Sequence, residues 1–399
     1  MTPHRRAAGA ALVFALALSA GLLAAGRLRP AVAQEPSGSY HWQALAASGS
    51  LAGHSLLALP DGGFLALGGE AAPGSPAAAP LRLSLGTPEG LWSDLPQSGD
   101  IPVSRLSGRG LLGAAAVLDP GDGRVLFTCD CADGRFGYLL DPGSGRWQAL
   151  PGAEGPQSLW YPILVYDAPR DRAILIGGDL AGTGELSSAI WSYDLSPAAA
   201  GWQRLGDAAW SAPLLFAAYG VAPDGRLILF SGGDALGAVE PTLWRVDLAR
   251  AAAPEAWSRV EAGAGPSGRQ GASLVFDPAG RGYLYGGYRA TEERQEDLAD
   301  LWLLEGLTGA AAQPRWEEAR LLLGGRRPQA RSGHAAAWSQ AVGGLVIHGG
   351  ARAEAGQVNY LGDAWRLNWA GFGDTPTPPA TVTAPAPRPR IYLRWGEKP

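Results

Sequence analysis

Five residues of this chain could grip a ligand. Arg269 and Arg331 lie in matching places, within Gly268-Arg269-Gln270-Gly271 and Ala330-Arg331-Ser332-Gly333, and a guanidinium grips an anionic group through paired hydrogen bonds. Trp160 offers an indole face for stacking, and Tyr161 and Gln270 flank these groups in sequence. The motifs of covalent or hydrolytic catalysis are missing: the chain has no Gly-x-Ser-x-Gly, no His-Glu-x-x-His and no phosphate-cradling glycine loop. The boxes Ser-x-Asp-x-Gly-x-Thr-Trp of a sialidase are also absent. No catalytic residue, metal or cofactor is therefore expected.

Metal-binding residue types are sparse. Beyond the leader the histidines are His41, His54, His334 and His348, and the only cysteines are Cys129 and Cys131. His54 and His334 hold equivalent places in two units that would adjoin in a closed ring, so a shared ligand is conceivable. A histidine at a repeated place is more readily explained by packing and hydrogen bonding. The Cys-x-Cys pair admits a local disulfide, two free thiols or half of a metal site. No second cysteine pair completes a zinc set.

The elements that must position these residues come from an internal repeat. Trp42, Trp92, Trp147, Trp202, Trp257 and Trp316 each open a Trp-x-x-apolar tetrad, or nearly so, at spacings of 50, 55, 55, 55 and 59 residues. That period suits four-stranded propeller blades rather than helical pairs. Glycine pairs end short apolar runs at Gly68-Gly69, Gly177-Gly178, Gly232-Gly233, Gly286-Gly287 and Gly349-Gly350, where the backbone needs a positive φ or a close approach. Aliphatic-Trp steps follow, as in Ile190-Trp191-Ser192-Tyr193-Asp194-Leu195 and Leu243-Trp244-Arg245-Val246-Asp247-Leu248. Turns such as Asp119-Pro120-Gly121-Asp122-Gly123 and Ala222-Pro223-Asp224-Gly225 join the first two strands of a unit as a hairpin.

Glycine pair, aliphatic-Trp-x-x-Asp-Leu and outer Trp, in this order over about residues 40 to 370, resemble the Kelch repeat. The resemblance implies an all-β fold, a six-bladed β-propeller of four-stranded antiparallel blades. The last unit lacks a closing tetrad while the chain opens with an unattached one, Trp42-Gln43-Ala44-Leu45. The N-terminal strand is thus expected to close the sixth blade, which removes the exposed edges of an open array. The galactose-oxidase-like members of this fold carry a copper site, for which this chain lacks the paired His and Tyr ligands and the cross-linked Cys.

Alignment of the units places Leu51, Leu111, Leu159, Leu214, Arg269 and Arg331 at one position just before the innermost strand, expected at a mouth of the central channel. In Kelch propellers an arginine here is often a ligand contact; pairing with a carboxylate of a connecting loop is the alternative. Most of the 15 tryptophans fall at fixed blade positions and read as packing. Trp160 and Trp210 fall outside the repeat signature and are the better candidates for ligand contact.

Residues 1–33 read as a signal peptide: Arg5-Arg6, an apolar run from Ala7 to Gly26, and Ala31-Val32-Ala33 before Gln34. An uncleaved anchor is the alternative, and only then would the chain meet a membrane. Removing the leader's four arginines takes the formal charge from −5 to −5 − 4 = −9, which disfavours nucleic acid as a partner. A Pro/Thr-rich linker over 371–390 and a short tail over 391–399 follow the ring. The expectation is a secreted or surface-held monomer that binds a protein or glycan. An enzyme of small polar or sugar substrates at the channel mouth and a purely structural surface module are the alternatives.

Overall fold

A computed structural model describes residues 39–370, except 77–78, 107–108, 152–154, 157, 181–182, 184, 196–200, 209–214, 234–238, 291–294, 308–311, 323–324 and 355. The leader, linker, tail, Trp210 and Leu214 lie outside the described residues. Six antiparallel sheets form six blades. Strands are lettered A to D from the channel outward. The A strands are Ala52–Ala58, Ala115–Leu118, Ile163–Asp167, Ala218–Val221, Ser273–Phe276 and Ala335–Ser339 for blades one to six. In blade six strands B and C are Gly344–His348 and Ala364–Ala370, and strand D is Ser39–Ala44 from the other end of the chain. Trp42 lies opposite Leu367 in that pairing. Blade two carries a fifth strand, Ser98–Gly99, running parallel to its strand D, Arg146–Ala149.

The B strands are continuous apolar runs because they have neighbouring blades on both faces. Val125–Thr128, Leu227–Phe230 and Gly344–His348 are buried at every position. Outer strands such as Leu91–Asp94 have one wet side and are mostly exposed. Indoles of the D strands fill the gaps between blades. Trp42 of blade six meets Tyr285 of blade five edge-on at 5.2 Å, and Trp316 of blade five meets Phe230 of blade four at 5.1 Å. Trp92 of blade one lies 4.4 Å from the His348 ring of blade six. Three successive seams thus share one arrangement of D-strand indole on B-strand ring.

The glycine pairs are explained by the next blade. In three pairs the second residue donates its N–H to the backbone carbonyl of the lead-in residue one blade on: Gly69 to Leu111, Gly287 to Arg331, Gly350 to Leu51. A Cβ on Gly349 or Gly286 would collide with the carbonyl oxygen of Leu51 or Arg331. Blade four corrects the sequence reading by one residue. Its pair is Ser231-Gly232 rather than Gly232-Gly233: Gly232 donates to the Arg269 carbonyl, while Ser231 takes the left-handed conformation at φ 57°. Its Oγ accepts the Arg269 N–H at 2.8 Å. Blade two replaces the pair with Cys129-Asp130-Cys131, closed by a disulfide between the two cysteines.

Candidate functional site

The six A strands enclose a central cavity of about 280 Å³. At its mouth, each blade contributes one residue in the left-handed region: Gly53, Gly113, Tyr161, Phe216, Gly271 and Gly333, with φ between 53° and 70°. Backbone hydrogen bonds run from blade to blade around this ring, Gly113 N–H to Gly53 C=O, Tyr161 to Gly113, Gly271 to Phe216, Gly333 to Gly271 and Gly53 to Gly333, at 2.8–3.0 Å. Four blades meet the conformation with glycine. Blades three and four use aromatic residues, at a cost of about 1 kcal/mol each in backbone strain. Their rings meet edge-on at 4.4 Å and line the cavity. The Tyr161 hydroxyl reaches blade one, where a Cβ on Gly53 would stand 3.0 Å from it.

Above this aromatic floor rise two hairpins. Tyr288–Ala290 pairs with Gln295–Asp297 from blade five, and Ala351–Glu354 with Gln357–Tyr360 from blade six. Asp297 ties them together, accepting from Ser332 Oγ at 3.1 Å and from the Ala353 N–H at 2.6 Å. On the adjoining blade one, buried Glu70 accepts from Arg109 Nε at 2.7 Å and from the Gly74 N–H at 3.0 Å. Burial, then the proximity of Tyr360, Glu70 and Tyr288, pushes the Tyr161 phenol well above its ordinary range. Tyr161 therefore stays a neutral donor under a rim of phenols and one ion pair.

The predicted arginines are elsewhere. Both are fully buried between blades and do not face the channel mouth, which corrects the expected placement. Arg269 gives Asp300 two hydrogen bonds, at 2.6 and 2.9 Å, and a third to the Gly286 carbonyl at 3.0 Å. Arg331 repeats the pattern on Asp363, at 2.7 and 2.8 Å, and on the Gly349 carbonyl at 3.0 Å. Each aspartate also accepts an indole N–H, from Trp302 at 2.7 Å and Trp365 at 2.6 Å. Burial works to raise both carboxyls, but the guanidinium bonds and charge outweigh it and hold them below the ordinary carboxylate range. An open anion site at these arginines thus loses its basis, because their donors are taken by the carboxylates of their own blades.

A signal for this was present in the sequence and went unread. Asp300 and Asp363 stand two residues before Trp302 and Trp365 in the arginine blades. The leucine blades three and four put Ala189 and Thr242 there, and the buried indole N–H of Trp244 in blade four has no hydrogen-bond partner among the described residues.

Gln270 is also internal. Its amide nitrogen donates to the Leu215 carbonyl at 3.4 Å, and its backbone pairs with Tyr288. Tyr161 is the one of the five candidates at the centre of the mouth. Trp160, half-buried, pairs through its backbone with Asp179 and lies beside Glu70, Arg109 and Asp130 at the rim of blades one to three.

His54, His334 and His348 pack the seam between blades six, one and five. His348 Nδ1 and His54 Nε2 share a hydrogen bond of 2.9 Å, Ser48 Oγ bonds His348 Nε2 at 2.8 Å, and Ser273 Oγ bonds His334 Nε2 at 2.9 Å. Burial depresses all three imidazoles, His334 to about 3 and His348 to about 4.

No protein-family profile and no curated protein sequence matches the chain. Solved structures do. YjhT superposes with a TM-score of 0.54 at 14% identity, over 80% of this chain and 95% of its own. A fungal alcohol oxidase of the AA5 family, solved in complex with copper, superposes with a TM-score of 0.53 at 14% identity, over 84% of this chain and 76% of its own. This is the galactose-oxidase-like Kelch propeller fold. At such identity the likeness concerns the fold alone. The residues here do not suit copper: both cysteines are spent in the disulfide, the Nε2 atoms of His54 and His334 are engaged by His348 and Ser273, and among the described residues no three His, Cys, Asp or Glu side chains converge.

Proposed function

We propose that this Kelch propeller is a binding module that takes a hydroxyl-rich glycan on the hairpin-bearing face, over the aromatic floor of the channel mouth. The observation that carries this reading is Tyr161, held at φ 53° where four blades use glycine. Strain retained beside an accessible rim is a mark of a working surface. A phenol under Tyr288 and Tyr360, with the Glu70–Arg109 pair beside it, offers both flat apolar faces and neutral hydrogen-bonding tips, the combination that sugars require. We place the protein outside the cytoplasm, on the strength of its leader-like first 33 residues and the Cys129–Cys131 disulfide.

The test is a printed glycan array probed with the protein from Gln34 onward, followed by titration of any hit. Tyr161→Gly restores the residue of the other four blades, so the ring backbone is kept and the melting temperature should move by only a few degrees. Affinity should fall at least tenfold. A wild-type protein that retains no glycan, or a Tyr161→Gly variant that binds as well as wild type, overturns the reading.

A further inference from the structure

Between blades one and two, beside the aromatic floor, lies a recess of about 10 Å³ lined by Glu70, Ser104, Arg109, Asp130 and Trp160 among others. That volume admits one oxygen or nitrogen atom and no more. Asp130 is its unusual member. Its side chain is only 5% exposed. Arg105 Nε stands 2.9 Å from Oδ1, an ion-pair distance without hydrogen-bond alignment, and among the described residues Oδ2 meets no protein donor. A buried carboxylate oxygen without a donor costs several kcal/mol if nothing ever fills the gap. The backbone that holds it there is unusually fixed: Asp130 sits between the disulfide-linked Cys129 and Cys131, its carbonyl accepts the Arg105 N–H at 3.0 Å, and Ser104 bridges to Cys131.

We infer that this recess is a hydroxyl-anchoring subsite, in which Asp130 Oδ2 accepts a hydroxyl of a neutral pyranose whose ring lies against Trp160. The inference rests on the glycan-binding reading above and names the contact that fixes the sugar. Charge selects the class of ligand. Two carboxylates, Glu70 and Asp130, are balanced by Arg105 and Arg109, so the recess has no net charge to attract an anion, and the two guanidiniums disfavour an ammonium. A hydroxyl supplies the one donor that Oδ2 lacks. Arg109, with only Nε committed to Glu70, has further N–H donors for a neighbouring sugar oxygen. The disulfide in place of a glycine pair then has a use: it holds an acid rigidly where the other blades expose only backbone.

The experiment compares wild type, Asp130→Asn and Tyr161→Gly on an array of neutral mono- to trisaccharide pyranosides, with immobilised primary amines as a second arm. Asp130→Asn keeps the shape and removes the charge-assisted acceptor, so pyranoside affinity should drop about tenfold or more. Its melting temperature should hold or rise, because a buried, poorly bonded carboxylate is gone. Loss of binding in Tyr161→Gly with full affinity in Asp130→Asn overturns the recess and leaves the hairpin face standing. Absence of pyranoside binding by wild type overturns both, and capture by amines instead of pyranosides overturns the hydroxyl assignment.

Discussion

Arg331 and Asp363 meet in a two-pronged ion pair, 2.7 and 2.8 Å, between the lead-in to blade six and the start of its third strand. The backbone carbonyl of the same arginine accepts from Gly287 of blade five. One residue thus fastens its own blade through its side chain and the preceding blade through its main chain. Arg269 does the same between blades five and four.

Arg331→Ala should therefore act on stability, leaving an uncompensated carboxylate in the seam. Equilibrium denaturation should show a loss of about 3–5 kcal/mol. The double variant Arg331→Leu/Asp363→Ala copies blade three, with its Leu159 and Ala189, and should recover most of the loss. Equal instability of single and double variants would show that the pair is not what the site requires.

Ring closure should depend on the first strand. Trp42 is buried against Tyr285 and sits opposite Leu367 in the pairing that joins the two ends. Trp42→Ala should cost about 3–5 kcal/mol in the same measurement, and deletion of residues 39–45 should abolish the cooperative transition. A shortened chain that melts like wild type would refute the closure.

Stability should decline in mild acid through the buried histidines. Burial lowers His54, His334 and His348 in the fold, so the unfolded chain takes up protons first as pH falls. Their contribution is complete above the ordinary imidazole value of about 6.5. It is lost progressively below that, down to the folded values of about 4 for His348 and about 3 for His334. The slope is at most about 1.4 kcal/mol per pH unit for each group. Asp119, pushed up to about 6 first by burial, works in the opposite sense over part of this window, so the histidine part is read by difference. Urea denaturation at pH 7.5 and 5 should show a smaller drop for His334→Gln than for wild type. An unchanged drop would exclude His334 as a contributor.

The repeat made the architecture legible. Trp42 without its own blade and Trp365 without a tetrad behind it foretold the closing pair, because joining the two loose ends completes a blade and removes its exposed edge. The glycine pairs were legible as places of positive φ, apart from the one-residue shift in blade four. There serine occupies the left-handed position, and a local pattern cannot separate Ser-Gly-Gly into its two possible registers.

What sequence alone determined was the set of short-range requirements: apolar runs for strands buried on both faces, turns between them, indoles at a fixed period, glycine where the next blade's carbonyl comes close. What only the tertiary structure decided was which side chains meet across seams. For Arg269 and Arg331 the sequence left ligand contact and pairing with a loop carboxylate both open, because the partners, Asp300 and Asp363, are 31 and 32 residues away. Tyr161 read as the neighbour of Trp160, and its place in a ring of left-handed residues emerges only when six separate blades bring that ring together. Asp130 drew no notice between its cysteines, since burial and the lack of a donor are properties of the space around a side chain, and that space is built by residues distant in the chain.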